Sequence, residues 1–404
     1  MNFLAQEFRI LGRSLGWERA PKCRVLQFGG RTTTALNSLK SSYALGCMPL
    51  VGEYINLRVL IRSVLTLRLG RWGYYRTFVK LSGAQLILVW HDTNIESYLL
   101  RRQISTPVAC IQNGLRHDWA PDGGASLFGQ LETCREQSPV VDRYFIFGEP
   151  TQLRFQRHLK AKFVSSGSFR LNEYSVNRIG GRMPRGTASQ RVGFIVSFPN
   201  STDIPGGYVV GNSAIFGSIG GAPVSYESWF AAESLLGQAL LTVCASQSLQ
   251  LSIIGKRSER DPIERDFFST VPGMAGVEVL AHEKGFGYHA CESFDYLFTV
   301  DSTLGYEMLA LGHKVGFVSN RFRIAGIDSD EMTFAHPLNV GRDGPIWTSA
   351  TTTEGISAFI HQFLSLSDAD WQSIRSTLVP RLMVLDPGNT NLRSYIDQVL
   401  AGSQ

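Results

Sequence analysis

The chain has 404 residues and a formal net charge of +5, with 44% hydrophobic and 18% charged residues. This composition excludes a disordered chain. A chain of this length is longer than a domain with a single hydrophobic core usually is, so we expect two domains of roughly 150–200 residues each. The six cysteines are scattered without a CxxC pair, which favours reduced structural thiols over a metal site.

The N-terminal segment and the hydropathy pattern predict a cytoplasmic protein. No apolar run approaches the roughly 18 residues of a membrane-spanning helix. The pattern over Asn2–Trp17 lacks the apolar core and cleavage site of a signal peptide and instead predicts an amphipathic helix packed on its own domain. We therefore expect a cytoplasmic location, with peripheral contact at the inner face of the inner membrane as the alternative.

The first half of the chain begins with a predicted strand over Arg24–Phe28. Residues Tyr54–Leu69 are apolar with interleaved arginines, which predicts a helix with one basic side. Basic residues crowd this segment and the one after it: Arg58, Arg62, Arg68, Arg71, Arg76 and Lys80. A solvated basic face is the favoured interpretation, and a face toward anionic lipid or an anionic acceptor is the alternative.

Two predicted strands of the first half each end in a dense polar turn. Ala84–Trp90 is the clearest buried strand, and Val108–Ile111 is the next strand along the chain. The turn residues that follow them are His91, Asp92, Thr93 and Asn94, and then Gln112, Asn113, Gly114, Leu115, Arg116, His117 and Asp118. Because the carboxyl ends of parallel strands meet at one edge of a sheet, these turns predict a binding site there.

The remainder of the first half predicts two more strands and a linker. Asp142–Phe147 is the next strand, and residues 163–168 end the half. The polar stretch 171–190 contains three glycines and one proline and shows little periodicity in its hydrophobic residues, which predicts a linker. We therefore place an N-terminal domain over residues 1–170.

The second domain, residues 191–404, restarts the same alternating pattern. Arg191–Phe198 predicts a strand, residues 201–224 predict an irregular loop, and Ser225–Ser246 predicts a long helix. Two further strands follow, and each ends near a basic residue that can meet a phosphate: Leu251–Ile254 before Lys256, and Val277–Leu280 before His282. The last predicted helices, over residues 368–384 and 391–400, are expected to pack back on the first domain.

The segment Tyr296–Ser319 predicts a strand, a helix and a second strand. Polar side chains stand where the helix begins, at Ser302 and Thr303, and Glu307 follows in its first turns. A helix that begins at the carboxyl end of a parallel strand offers unpaired N–H groups to an anion or a nucleotide. An ordinary capped helix is the equally weighted alternative.

Two Rossmann-like halves with polar strand ends facing a central cleft predict an α/β chain of the GT-B type. The motifs of the competing classes are missing from the sequence. There is no GxGxxG after the first strand and no GxxxxGK[ST], which disfavours dinucleotide oxidoreductases and P-loop NTPases. There is also no GxSxG of an α/β-hydrolase and no DxD metal motif at a strand end, so we expect neither a metal nor a bound cofactor.

Three segments resemble a bacterial surface-carbohydrate family. They are HDTNxxxYLL over His91–Leu100, IQNGLR over Ile111–Arg116, and VDSTLGYEMLALGHKVGF over Val300–Phe317. The chain resembles O-antigen biosynthesis proteins and, more distantly, the retaining β-Kdo transferases that use CMP-Kdo. The resemblance implies a nucleotide-sugar-dependent glycosyltransferase with a saccharide or lipid-linked saccharide acceptor and no nucleic-acid partner.

The resemblance also implies roles for particular residues. Asp92 matches the carboxylate that would attack the anomeric carbon, with a general acid or base at His91, His117 or Asp118. Sugar binding is implied for the residues of the two polar turns, Asn94, Gln112, Asn113, Gly114 and Arg116, the last as a partner for a sugar carboxylate. Nucleotide binding is implied for Lys256, His282, Ser302, Thr303 and Glu307, with Glu307 on a ribose hydroxyl.

Two alternatives stay open. One keeps the transferase but changes the donor to a UDP-sugar, a dTDP-sugar or a CDP-polyol. The other is a catalytically silent GT-B-like scaffold of an assembly complex, which would not hydrolyse a donor. The stereochemical outcome, retaining or inverting, is likewise undecided.

Overall fold

The structure, a computed structural model, describes most of the chain. The described residues are 14–30, 35–90, 92–116, 119–121, 124–177, 190–198, 209–219, 221–256, 261–280, 287–327 and 341–402. Four predicted site residues, His91, His117, Asp118 and His282, lie outside them, as does most of the predicted helix Asn2–Trp17. The described end of that segment, Ser14–Gly16, is a strand (β1), because it pairs in parallel with the strand Tyr54–Asn56.

The first half is built on a six-stranded sheet in which all pairings are parallel. Its strands, in spatial order, are Gly46–Met48 (β3), Val25–Phe28 (β2), Leu86–Val89 (β5), Val108–Ile111 (β6), Val140–Ile146 (β8) and Lys160–Ser165 (β9). Every residue of β5 and β6 is buried, as their unbroken apolar sequences predict for strands covered on both faces. The register pairs Val89 with Cys110, so the turns after these two strands are neighbours.

The second half is built on another six-stranded parallel sheet. Its spatial order is Glu278–Leu280 (β14), Gln250–Ile254 (β13), Arg191–Ile195 (β10), Tyr296–Thr299 (β15), Lys314–Val318 (β16) and Trp347–Thr348 (β17). The strand order reverses between β10 and β15. Ligands of open α/β sheets bind at such a reversal, beyond the carboxyl ends of the strands.

Helices cover both sheets. In the first half they are Asn37–Tyr43 (α1), Leu57–Leu65 (α2), Gly70–Ser82 (α3), Ile95–Gln103 (α4), Leu127–Thr133 (α5), Glu149–Phe155 (α6) and Phe169–Asn177 (α7). In the second half they are Tyr226–Ser246 (α8), Asp261–Thr270 (α9), Gly287–Glu292 (α10), Thr303–Ala310 (α11), Arg321–Ile324 (α12), Thr353–Leu364 (α13), Asp368–Leu382 (α14) and Thr390–Ala401 (α15).

Two more predicted elements of the first half differ in the structure. The single helix predicted over Tyr54–Leu69 is the strand Tyr54–Asn56 (β4) followed by α2, because Asn56 caps the helix by accepting a hydrogen bond from Val59 N at 3.2 Å. The start of the predicted linker is the helix α7, whose Phe169 and Leu171 are fully buried. The domain bounds themselves stay a prediction.

The predicted irregular loop over residues 201–224 contains strand structure. Ile215–Ile219 (β11) and Ala222–Ser225 (β12) form an antiparallel hairpin, and β11 also pairs with Trp119–Pro121 (β7) of the first half. The sequence concealed this sheet because its pairing partner lies almost 100 residues away, so no local period marks it. The small sheet joins the two halves through backbone hydrogen bonds.

The C-terminal residues return to the first half. Leu392, Ile396 and Leu400 of α15 lie in one hydrophobic cluster with Leu86 and Leu88 of β5. On the way back, the chain passes so close to Gly167 that a Cβ there would lie 1.8 Å from Val384 O, and Gly167 also has a φ of +70°. Only glycine permits both the close approach and the left-handed backbone.

Candidate functional site: a cleft between the two sheets

The helix α11 begins at the reversal of strand order in the second sheet. Its first residue, Thr303, follows β15 after only three residues, and β10 is the neighbouring strand. Among the described residues, no side chain caps this helix, and Ser302 N donates to Thr299 Oγ1 at 3.2 Å. The positive end of the helix dipole therefore faces the cleft, where an anionic group is stabilised.

Thr303 also contacts the polar turn of the first half. Leu115 N donates to Thr303 Oγ1 at 3.3 Å, although the two residues are 188 positions apart in the sequence. A Cβ on Gly114 would lie 3.8 Å from the same oxygen, so the turn approaches the helix closely. The structure thus brings together two segments that the sequence identified separately.

Asp92 is completely buried at the carboxyl end of β5. One carboxylate oxygen forms an ion pair with Arg116 Nη2, and the other accepts hydrogen bonds from Tyr144 OH at 3.0 Å and Asn113 N at 3.4 Å. Tyr98 OH donates to the backbone oxygen of Asp92 at 2.6 Å. In this conformation the carboxylate holds the second polar turn in place and does not reach the cleft as a nucleophile must.

Burial around Asp92 controls the protonation of its neighbours. The pKa values of the Tyr98 and Tyr144 hydroxyls are raised well above their usual range, chiefly by burial and further by the nearby negative charge of Asp92. Burial lowers the pKa of Arg116, but the charge and hydrogen bond of Asp92, together with Tyr144 and Tyr98, more than offset this effect, so its pKa is raised. The guanidinium is therefore a permanent cation whose charge is already matched by Asp92, which leaves it poorly placed to bind a sugar carboxylate.

The other predicted sugar-binding residues hold the turns. Asn94 caps α4 by accepting from Glu96 N at 2.8 Å. Gln112 is buried, accepts from Phe147 N at 2.7 Å and donates to Gly114 O at 3.0 Å, so both ends of its amide are engaged. Asn113 is exposed and donates to Trp90 O at 3.3 Å, which leaves it the member of this group best placed to meet a ligand.

Glu307 connects the two halves from inside the cleft. Its buried carboxylate accepts a hydrogen bond from Ser168 Oγ at the end of the first sheet, and Tyr288 is a second hydrogen-bonding neighbour. Burial raises the pKa of this carboxyl to about 6, and these two hydrogen bonds and the charge of Arg170 oppose the rise. The predicted ribose contact therefore competes with an existing contact between the halves.

Lys256 lies where β13 ends, next to β10. Its ammonium group donates to Phe198 O at 2.8 Å, and its backbone N–H donates to the carboxylate of Glu264 at 3.0 Å. Both contacts fix the loop that follows the strand, and the positive charge lies at the carboxyl edge of the second sheet. The predicted contact of Lys256 with a leaving phosphate stays a prediction.

The sequence interpretation missed Arg170. This residue is exposed in the first turn of α7, directly after β9, and its guanidinium lies over the Trp90 ring at 5.7 Å from the centroid. Burial raises the pKa of both Glu307 and Tyr288, and the positive charge of Arg170 opposes that rise in each. The sequence could have indicated Arg170, because it follows a strand of the first sheet just as Asp92 and Gln112 do.

The sequence interpretation also missed a buried charge cluster behind α11. Arg321 forms ion pairs with Asp301 at 2.8 Å and Glu233 at 2.5 Å, and its guanidinium lies 4.5 Å from the centroid of the Trp229 ring. Burial raises the pKa of Glu233 to about 7, while Arg321 opposes that rise. Because Asp301 precedes the helix by two residues, the cluster fixes the loop that leads into the helix N-terminus.

Two kinds of feature are absent from the residues that the structure describes. Within that part of the chain, no group of three or more His, Cys, Asp or Glu side chains is placed to hold a metal ion. Nor is any helix there long and apolar enough to cross a membrane.

Two Rossmann-like parallel sheets facing one cleft define a GT-B fold, and solved structures confirm it. The chain is similar to MnaA of S. aureus in complex with UDP, with a TM-score of 0.54, 10% identity, and 93% of this chain and 96% of that chain covered. It is similar to a UDP-N-acetylglucosamine 2-epimerase, with a TM-score of 0.51, 12% identity, and 95% and 97% covered. The wall teichoic acid polymerase TagF matches with a TM-score of 0.50, 9% identity, and 95% and 90% covered.

The chain belongs to the family described as "putative O-antigen biosynthesis protein", whose model matches residues 109–400. The predicted resemblance to O-antigen biosynthesis proteins is therefore confirmed, and the resemblance to Kdo transferases stays a prediction. Among curated proteins, no sequence matches the chain.

Proposed function

We propose that the protein is a glycosyltransferase of bacterial surface-polysaccharide assembly that binds a nucleotide-sugar donor in the cleft. The observation that carries the proposal is the contact between Leu115 N and Thr303 Oγ1. It places the polar turn of one sheet against the open helix N-terminus of the other. A donor held by its phosphates at the helix N-terminus then presents its sugar to the turns of the first half.

The donor phosphate is proposed to lie between Thr303 and Arg170. The helix N-terminus supplies N–H groups and the Thr303 hydroxyl, and Arg170 supplies an exposed cation on the opposite wall. Ser302 follows β15 and Lys256 follows β13, and both of these strands pair with β10. This arrangement stabilises a leaving nucleotide with fixed charges and dipoles and needs no metal ion.

A CMP-activated, Kdo-like sugar is the proposed donor, as the resemblance of the three motifs implies. Such a sugar carries a carboxylate that needs a cation. Arg116 is already paired with Asp92, so we assign the sugar carboxylate to Arg170 as well. One guanidinium can bind both groups, because the carboxylate and the phosphate of such a donor are attached to the same carbon atom. A UDP-sugar is the second candidate, because two of the similar structures are named for UDP or a UDP-sugar.

Asp92 is proposed to position the site. A retaining mechanism through Asp92 needs its carboxylate to leave Arg116 and Tyr144 and reach the anomeric carbon. Its present contacts instead keep Arg116 and the turn at Asn113 in one arrangement. The acid and base roles of His91, His117 and Asp118 remain as predicted from the sequence.

Calorimetry with CMP, UDP, CDP, dTDP and GDP tests the donor site. We expect one nucleotide to bind, and Thr303→Val to weaken it by about 1–3 kcal/mol because a phosphate contact is lost. Thr242→Val is the matched control, since Thr242 is exposed on α8 and only donates to Gln238 O. Equal affinities of wild type and Thr303→Val would contradict the assignment.

Donor hydrolysis separates an enzyme from a scaffold. The purified protein with its preferred nucleotide-sugar should release the free nucleotide slowly, and faster when a lipopolysaccharide-derived acceptor is present. Nucleotide binding without any release or transfer would favour the silent scaffold.

A further inference from the structure

The helix α2 and the turn after it expose an unusual number of large apolar side chains. We call residues 61–69 the apolar tip; its exposed members are Ile61, Val64, Leu65, Leu67 and Leu69. Leu65, Leu67 and Leu69 are 72%, 86% and 70% exposed. Scattered single apolar residues are normal on a protein surface, but a contiguous projecting group marks an interaction site.

The backbone at Leu67 strengthens this conclusion. Its φ of +56° lies in the left-handed region, which is unfavourable for a side chain with a Cβ and which Gly or Asn adopts more readily. A leucine in such a turn usually gains from burial, yet this one points into solvent. Hydrogen bonds from Leu67 N to Val64 O at 2.9 Å and from Arg68 N to Ser63 O at 2.9 Å hold the turn. The turn therefore presents the leucine outward in a defined conformation.

The segment that carries the tip has charge of a single sign. Residues 54–91 contain six Lys or Arg residues and no Asp or Glu. Arg58 and Arg62 are exposed on α2 itself, and Arg58 lies over the ring of Trp17, 5.5 Å from its centroid. Trp17 is 54% exposed and extends the surface beyond the helix. Aliphatic, tryptophan and arginine side chains together are the composition of proteins that bind an anionic bilayer surface.

The tip lies at the cleft side of the first sheet. Arg71, at the start of α3, forms an ion pair with Glu96 at 2.7 Å. Glu96 is in the first turn of α4, which begins where the turn Asp92–Asn94 ends. A molecule anchored at the tip is thus near the carboxyl edge of β5, where the proposed function places the acceptor.

We propose that the apolar tip inserts into the interfacial region of an anionic membrane while Arg58, Arg62 and Arg68 bind lipid phosphates. The leucines enter the boundary between headgroups and acyl chains, and the arginines remain at the level of the phosphates. The proposed occupant is a lipid surface because residues 57–69 combine exposed apolar side chains with three arginines and contain no acid. A protein partner of mixed charge would favour a mixture of acids and bases at this surface. The delivery of a lipid-linked acceptor to the cleft rests on the proposed function, but membrane binding does not.

Vesicle co-sedimentation of the full chain tests the proposal. The wild type should bind vesicles of phosphatidylcholine mixed with phosphatidylglycerol and bind phosphatidylcholine alone weakly. Leu67→Asn combined with Leu69→Ser should lower the partition coefficient by about tenfold or more, because exposed apolar area is lost while asparagine suits the left-handed turn. Arg58→Gln combined with Arg62→Gln should lower it on anionic vesicles only, and high salt should have the same effect.

Matched controls and a second readout separate the outcomes. Val176→Ser removes an exposed apolar side chain on α7, and Arg102→Gln removes an exposed cation on α4; both should bind vesicles as the wild type does. Nucleotide affinity should be the same in the tip variants and the wild type. The membrane proposal and the donor-site proposal can therefore be refuted independently of each other. Equal vesicle binding by wild type and tip variants would overturn the proposal. A dimer in light scattering that the tip variants abolish, without vesicle binding, would assign the surface to a second copy of the chain.

Discussion

Replacement of Asp92 by asparagine tests whether this carboxylate organises the site or performs the chemistry. The carboxylate is fully buried and pairs with Arg116, whose side chain is 13% exposed. Asparagine has nearly the same shape but carries no charge, and its amide nitrogen would face Tyr144 or the guanidinium. Removing one partner of a buried ion pair leaves the other charge uncompensated and costs about 3–5 kcal/mol. Because Arg116 retains a little solvent contact, we expect the lower end of that range, about 3 kcal/mol.

Urea denaturation at neutral pH measures the change in the free energy of unfolding. Asp142→Asn is the matched control, because Asp142 forms a 2.7 Å ion pair with Arg101 in which both side chains are about one-third exposed. Such a partly exposed pair is screened, so the control should lose about 1 kcal/mol or less. The double variant Asp92→Asn with Arg116→Gln should recover part of the loss, since the unpaired buried cation is removed with its partner.

Activity separates the two roles of Asp92. If Asp92 is a positioning residue, the Asp92→Asn variant should have both a lower free energy of unfolding and a lower rate of sugar transfer. The transfer rate should recover partly in the double variant. A nucleophile would instead lose transfer by several orders of magnitude with little change in stability, and no Arg116 variant would restore it. A loss of stability no larger than in the control, combined with abolished transfer and a sugar adduct on the wild type alone in intact mass spectrometry, would refute the positioning role.

Two further predictions concern the cleft. Because burial raises the pKa of Glu307 from its ordinary 4.5 to about 6 in the folded chain, its protonated form stabilises folding below pH 4.5, and about 2 kcal/mol is lost as the pH rises through 6. Glu307→Gln should remove this pH dependence of the free energy of unfolding, as measured by urea denaturation between pH 4.5 and 6. A difference in unfolding free energy between wild type and variant that stays constant over this range would contradict the prediction. Arg170→Gln should weaken binding of the intact nucleotide-sugar by about 1–3 kcal/mol in calorimetry, because a charge-assisted contact is lost. The same change at Arg102 should have no effect, and equal binding by the Arg170 variant would remove Arg170 from the site.

The local pattern of the sequence was sufficient for most of the parallel strands and for the helix α11, but it did not predict the short edge strands Gly46–Met48 and Trp347–Thr348. Buried apolar runs such as Leu86–Val89 and Val108–Ile111 need no distant information, because a strand covered on both faces is apolar at every position. The polar residues that follow these strands indicated the edge of the cleft, because the carboxyl ends of parallel strands lie at one edge of a sheet. The fold class and the family, predicted from this pattern and from three short motifs, are both confirmed.

Elements whose stability comes from distant partners could not be predicted. The hairpin that contains Ile215–Ile219 pairs with Trp119–Pro121, and no local period in either segment marks that pairing. The same applies to Arg170, whose significance depends on Trp90 and on Glu307 across the cleft.

The sequence by itself determined which residue types stand at the ends of the strands. Only the tertiary structure decided what those residues do, because function depends on which side chains remain accessible after folding. Asp92 and Arg116 neutralise each other in the interior, and Gln112 uses its amide to hold a turn. Arg170 remains at the surface of the cleft with its charge exposed. Burial and pairing are set by contacts between segments far apart in the chain, and a linear pattern does not contain them.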